Sequence, residues 1–305
     1  MPAIITDKFR IHNSEQFHEA FSESSGNTFY LGIGRPQAFA TSTRADSRTN
    51  NEGSDIAPIT PADNVNAQFY PFDDMLAAKK IASTDITFAI PRRNWTTGTT
   101  YDIYRHDYGE RITGTTTAQT ANSGASTLHD SSFYVLTGDR NVYKCLDNDN
   151  NTASTVEPTG TSTTILSTAD GYKWKYMYTL SASQQANFLS TDFMAVTTNS
   201  TVSSAAVDGA VNIVKIKSAG SGGSDGTFTG IDIRGDGSSG KVSVTVSGGA
   251  VTAVTVTTPG TGYTFGTISN AQIVAAGATS LSGAELDVII EPKGGHGKNA
   301  VEELG

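Results

Sequence analysis

The segment Lys241-Val-Ser-Val-Thr-Val246 alternates apolar and small polar residues, the spacing of a strand with one buried face. Related alternation occurs in Val211-Asn-Ile-Val-Lys-Ile-Lys-Ser-Ala-Gly220 and Val251-Thr-Ala-Val-Thr-Val-Thr-Thr-Pro-Gly260, which together read as a weak internal repeat. Each run leads into a Gly-rich turn and an aromatic-bearing segment, first Thr227-Phe228 and then Tyr263-Thr-Phe265. Residues 241–246 and 285–290 close the two units as further alternating strands. With 31 glycines, 37% hydrophobic and 17% charged residues, the chain lacks the make-up of a helical bundle and suits many short strands joined by tight turns. The expected fold is mostly β with a few short α-helices. Its architecture is multi-domain and of β-sandwich type, ending in a Gly-rich β module.

A chain of 305 residues buries roughly 75% of its unfolded surface, enough for more than one core. Composition shifts near Val196, where a Thr/Ser/Ala-rich stretch of low charge reads as a linker. The expected boundaries are therefore a β-rich part over 1–200, the Gly/Thr/Val-rich module with its repeat over 201–295, and a terminal segment over 296–305. Asn299 is placed to cap a short helix in that segment, and the chain is expected to continue into a closing strand beyond it.

Within the first part, residues 4–9 read as a strand and Asn13 as the cap of a helix reaching Glu23, with Gln16 completing a capping box. Thr28-Phe-Tyr-Leu-Gly-Ile33 reads as a strand, residues 35–61 as a long exposed loop, and Asp73 as the cap of a short helix through Lys80. Residues 86–90 form a strand ending at Pro91, which cannot donate to a ladder. Residues 113–127 read as a second surface loop, and residues 132–136 and 141–146 as a hairpin turned at Gly138-Asp139. Residues 172–180 form a strand with Trp174 in the core, followed by a short helix over 181–189.

Chemistry-bearing motifs are weak throughout. Gly32-Ile-Gly34 lacks the third glycine of a dinucleotide loop, and Gly297-Lys298-Asn299 lacks the hydroxyl of a phosphate loop. Asp147-Asn-Asp-Asn-Asn151 has the alternating oxygens of a calcium loop, but Thr152 replaces its glycine and Pro158 its terminal glutamate. His12, His18, His106, His129 and His296 show no ligand spacing, and His296 alone invites a site built from several loops. No Gly-x-Ser-x-Gly elbow occurs, and no carboxylate pair stands out. Neither enzyme activity nor a cofactor or metal is expected. Net charge of -9 without a Lys/Arg run argues against nucleic acid, and no apolar run reaches the roughly 20 residues of a membrane helix. The single Cys145 fits assembly in a reducing cytoplasm.

Arg and Trp are residues that anchor protein contacts, so Arg92, Arg93 and Trp95 in the Pro-Arg-Arg-Asn-Trp turn are candidates for an inter-subunit surface. Tyr101, Tyr104 and Tyr108 divide evenly between core and interface readings. The words Ile90-Pro-Arg-Arg-Asn-Trp95, Tyr143-Lys-Cys-Leu-Asp147, Glu157-Pro158 and Asp170-Gly-Tyr-Lys-Trp174 occur in that order, with Ile5-Thr-Asp-Lys-Phe-Arg10 before them. In these the chain resembles a baseplate wedge subunit of T-even-type contractile-tail phages, in a cyanophage-like variant, over about its first two thirds. The resemblance implies a homodimer that binds other wedge proteins, is built in the host cytoplasm, resides in the virion tail baseplate and rearranges on contraction. The Gly-rich module departs from that pattern. The alternative is a tail-fibre or adhesin-type protein holding a surface glycan through the module, whose aromatics are Phe228, Tyr263 and Phe265.

Overall fold

The computed structural model describes residues 6–23, 27–34, 75–112 and 116–305, and within these the fold is mostly β with short helices. The chain divides into two compact units, one of residues 12–87 and one of residues 1–11 with 88–305. Of the expectations above, Ile4 and Ile5, the 35–61 loop, Asp73 and residues 113–115 lie outside the described residues.

Helix α1 covers Asp7–Ala20, so Phe9 is helical rather than in a strand. The cap is Thr6 instead of Asn13: its hydroxyl and carbonyl both accept the Phe9 amide, at 3.2 and 3.1 Å. In the smaller unit, strands β1 (Phe29–Ile33) and β2 (Ala77–Ile81) pair antiparallel, with Leu31 opposite Lys79. The Ala-Ala-Lys-Lys stretch expected to be helical is therefore a strand, because ladder pairing overrides its modest helix preference. Phe21 stacks on Phe29 at 4.2 Å, and Phe17 meets both rings edge-on.

The larger unit is built on two hydrophobic cores. The first surrounds an antiparallel sheet in which β4 (Tyr134–Leu136), β5 (Asn141–Asn148), β7 (Tyr172–Thr179) and β6 (Leu166–Ser167) lie side by side in that order. β4 and β5 form the expected hairpin through Gly138 and Asp139, with Arg140 in the left-handed region at φ 63. β5 and β7 are buried on nearly every residue, as a strand covered on both faces must be. β3 (Phe88–Pro91) pairs with β8 (Phe193–Val196), and Pro91 closes that ladder opposite Phe193. Helix α2 (Ala182–Phe188) starts at Ser181, which forms a capping box with Gln184. The stretch expected to be a bare linker holds helix α3 (Ser200–Ala205), capped by Asn199, which buries Val202 in the first core.

The second core lies between two layers. One is the ladder of β9 (Ile213–Ser221) and β15 (Ser282–Ile289), and the other is the sheet of β10 (Gly226–Asp232), β12 (Lys241–Ser247) and β13 (Ala250–Thr258). The repeat strands are thus β9 and β13, the first paired with β15 and the second with β12. Short strands β11 (Arg234–Gly235) and β14 (Gly266–Thr267) pair beside them, and helix α4 (Asn270–Ala275) buries Ile273. Val242, Val244 and Val246 are the inward face of the alternating strand, as the period requires. Helix α5 (Ala300–Leu304), capped by Asn299, returns Ala300, Val301 and Leu304 to the first core.

Trp174 is fully buried, stacked on Tyr172 at 5.3 Å and edge-on to Tyr101 at 5.7 Å. Trp174→Ala removes the largest side chain of this core, and a loss of about 3–5 kcal/mol is expected in denaturant unfolding. A midpoint unchanged from the parent protein would show that the first core does not depend on this ring.

Candidate subunit interface

Pro91 ends β3, and the chain then turns through Arg92, Arg93, Asn94 and Trp95 across the end of β4. Leu136 fixes this turn from both sides: its amide donates to the Arg93 carbonyl at 2.6 Å, and its carbonyl accepts the Trp95 amide at 2.8 Å. The Arg92 guanidinium donates to Asn94 Oδ1 at 2.9 Å and to the Ser190 carbonyl at 2.8 Å. Arg93 lies over the Tyr134 ring, 5.4 Å from its centroid. Both arginines are half-buried. Phe193, in register with Pro91, is 53% exposed, so an aromatic ring stands in solvent beside Arg92.

Trp95 packs its ring against the first core while its Nε1 donates to Ser154 Oγ at 3.1 Å. Ser154 in turn donates to Asp170 Oδ2 at 3.1 Å, and the same oxygen accepts the Thr155 and Val156 amides. The second word of the turn is therefore anchored to Asp170, which lies in another of the family-like words.

Tyr101 and Tyr104 are buried in the first core. The Tyr101 hydroxyl accepts the Thr96 amide at 2.6 Å, and the Tyr104 ring meets His296 edge-on at 4.8 Å. Tyr108 is half-buried, donates to the Ile103 carbonyl at 2.8 Å, and lines an open cleft of about 650 Å³ with Arg105, Glu110 and Lys217. In the module, Tyr263 is buried, Phe228 packs on the second core and Phe265 is exposed.

The remaining motifs resolve locally. Gly32 is a ladder residue opposite Ala78. Asp147 holds Lys215 at 2.7 Å and Lys173 at 3.6 Å, and Asp149, Asn150 and Asn151 form a left-handed turn. His296 is buried between Glu291 and Glu303, and among the described residues no group of His, Cys, Asp and Glu is arranged to hold a metal. Also among the described residues, no helix is long and apolar enough to cross a membrane.

Two features escaped sequence reasoning. Tyr30, Leu31, Ile33 and Leu76 expose apolar surface in the smaller unit, where the apolar run signalled only a strand. The buried cluster of Lys144, Glu291, His296 and Glu303 draws on positions far apart in the chain, and its only local trace is a lysine amid the apolar Val142-Tyr-Lys-Cys-Leu146.

The family model of bacteriophage T4 Gp8 matches residues 3–155, just over half of the chain, and includes the Arg92–Trp95 turn and β5. The chain belongs to the bacteriophage T4 Gp8 family. It is a T4-type baseplate wedge protein, a structural component of the virion tail baseplate. None of the curated proteins matches it.

Burial pushes the Asp170 pKa up, but hydrogen bonds from Thr168, Val156, Thr155 and Ser154 outweigh it and hold the group at about 2 against an ordinary 3.8. A depressed folded-state pKa gives stability that is full above 3.8 and is lost as pH falls through about 2. The melting temperature of the parent protein is therefore expected to fall more steeply across that window than that of Asp170→Asn, followed by circular dichroism. Parallel curves would remove Asp170 as an acid-sensitive anchor.

Proposed function

We propose that this Gp8-family chain acts purely as a structural wedge subunit. It pairs with a second copy of itself and with other wedge proteins as the baseplate assembles in the host cytoplasm, and it turns over no external substrate. Family membership carries this reading. The turn at Arg92 supports the contact: Phe193 is a solvent-exposed aromatic beside a half-buried arginine, the pairing typical of interface hot spots. Arg93 and Trp95 shape that surface from behind, and Tyr101 and Tyr104 support it from the core. Tyr108 stands apart, in the cleft wall.

The expected result in sedimentation at micromolar concentration is a dimer. Phe193→Ser combined with Arg92→Ala is expected to give a monomer that melts close to the parent protein, since neither side chain is in the core. A monomeric parent protein overturns self-pairing. A dimer that survives both substitutions places the contact away from this turn.

We also propose that the Gly-rich module over 201–295 is separable from the wedge part. Its own core supports this, as does its base, where Ile213 and Ile289 face each other in register. Replacing residues 214–288 by a short Gly/Ser loop leaves that pair and helix α5 in place. The shortened chain is expected to unfold cooperatively and still to self-associate, and an insoluble product would show that the module is needed for folding.

A further inference from the structure

The C-terminal segment carries a reactive arrangement inside the first core. Lys144 of β5 is completely buried, and its Nζ contacts Glu303 Oε2 of α5 directly. The Glu303 side chain is 3% exposed. Its carboxylate sits in a cradle of main-chain donors: the Gly297 amide reaches both oxygens, at 2.8 and 3.0 Å, and the Asn299 amide reaches Oε1 at 3.3 Å. The Tyr104 ring walls off the amine, 4.8 Å from Nζ.

His296 completes the cluster. Its Nδ1 is buried, has no hydrogen-bond partner, and lies 4.0 Å from Glu303 Oε2. Its Nε2 lies 3.9 Å from Glu291 Oε1, and its own amide donates to Glu291 Oε2 at 3.0 Å. Glu291 also accepts from Asn212. Lys175, directly opposite Lys144 in the ladder, turns away to the Thr163 carbonyl at 2.5 Å. An orphaned buried nitrogen costs stability and calls for a role.

We propose that Lys144 and Glu303 condense into an intramolecular amide, a self-catalysed cross-link between β5 and the C-terminal helix. The ammonium first passes a proton to the carboxylate, leaving a neutral amine and a carboxylic acid. Lys144 Nζ then attacks Glu303 Cδ, forming the N–C bond. The oxyanion of the tetrahedral intermediate is held by the Gly297 and Asn299 amides, which act as an oxyanion hole. His296 carries the amine proton to the departing hydroxyl, the C–O bond breaks, and one water leaves. The sum is ammonium plus carboxylate giving amide plus water, with no oxidant, reductant or activated donor.

Holding the two groups in contact supplies the main part of the driving force, since oriented intramolecular partners behave as if at effective concentrations of about 10⁵–10⁸ M. Burial acts in the same direction: it pushes the Lys144 pKa down, against the pull of Glu303, and so favours the free amine. Burial, followed by Lys144 and Lys175, also keeps His296 well below its ordinary value, neutral and able to take a proton.

Intact-mass spectrometry of the folded full chain tests this. The expected mass is lower than that of the sequence by one water. Trypsin is expected to leave the bond after Lys144 uncut and to yield one branched peptide containing Lys144 and Glu303. Lys144→Arg and Glu303→Ala are each expected to restore the full mass, whether or not they fold well. His296→Gln is expected to slow appearance of the lighter species at least tenfold after synthesis. A parent protein of full mass that is cleaved after Lys144 overturns the cross-link. So does a lost water that maps to an Asp-Gly pair such as Asp170-Gly171. An unchanged rate in His296→Gln overturns the proton relay.

Discussion

A fully buried ammonium on the central strand of the first core sets the terms for the rest of the chain. Removing an ion from water costs several kcal/mol even in a relaxed protein, and the cost is offset only by a close counter-charge with its remaining bonds satisfied. Lys144 finds that charge in Glu303, 159 residues away. β5 is therefore not complete until the C-terminal segment has folded back over it. The same segment brings Val301 and Leu304 into the core beside Ile90, so polar and apolar requirements select one docking of α5.

The Gly-rich strands are tied to that core by polar contacts at their base. Arg105 bridges Asp107 and Asp287, each at 2.7 Å, and Lys215 reaches Asp147 at 2.7 Å. The Ile290 amide donates to His106 Nδ1 at 3.2 Å. Arg105 is nearly buried and forks onto Asp107 with two nitrogens, which gives orientation as well as attraction. Farther from the base, close backbone approach takes over. Gly209 has φ 59, and a Cβ there would lie 2.4 Å from the Tyr263 amide, so only glycine fits. The Tyr263 hydroxyl then bridges the Ile233 carbonyl and the Gly240 amide across the second core.

Legibility in the sequence followed the locality of the cause. The alternation in β12, the hairpin at Gly138, the Ser181 cap with Gln184 and the Asn299 cap all rest on neighbours within a few residues, and all were readable. β2 was not, because Ala77 to Ile81 take their conformation from β1, across residues that carry no pairing signal. Helix α1 was misread at its start because Thr6, a weaker cap than Asn13 on propensity, is the one whose oxygens meet the Phe9 amide. The Arg92 turn was recognisable by residue type, but its exposed partner Phe193 comes from a strand about a hundred positions later. The buried cluster was the least legible, since a lysine flanked by tyrosine and cysteine looks like any surface position of a strand.

The match to the family ends at residue 155, yet the structure gives that half no independent core. β3 takes its ladder partner from β8, β5 pairs with β7, and Lys144 takes its counter-charge from α5, all beyond the matched part. What the first half demands of the second is mostly generic: main-chain pairing along β8, apolar bulk from Val202, Val301 and Leu304, and one carboxylate at the right depth. Such demands can be met by many sequences, because backbone bonds and burial do not read side-chain identity closely. The second half can therefore depart in wording and carry an inserted β module between Ile213 and Ile289, provided that the chain returns at their paired positions to deliver Glu303.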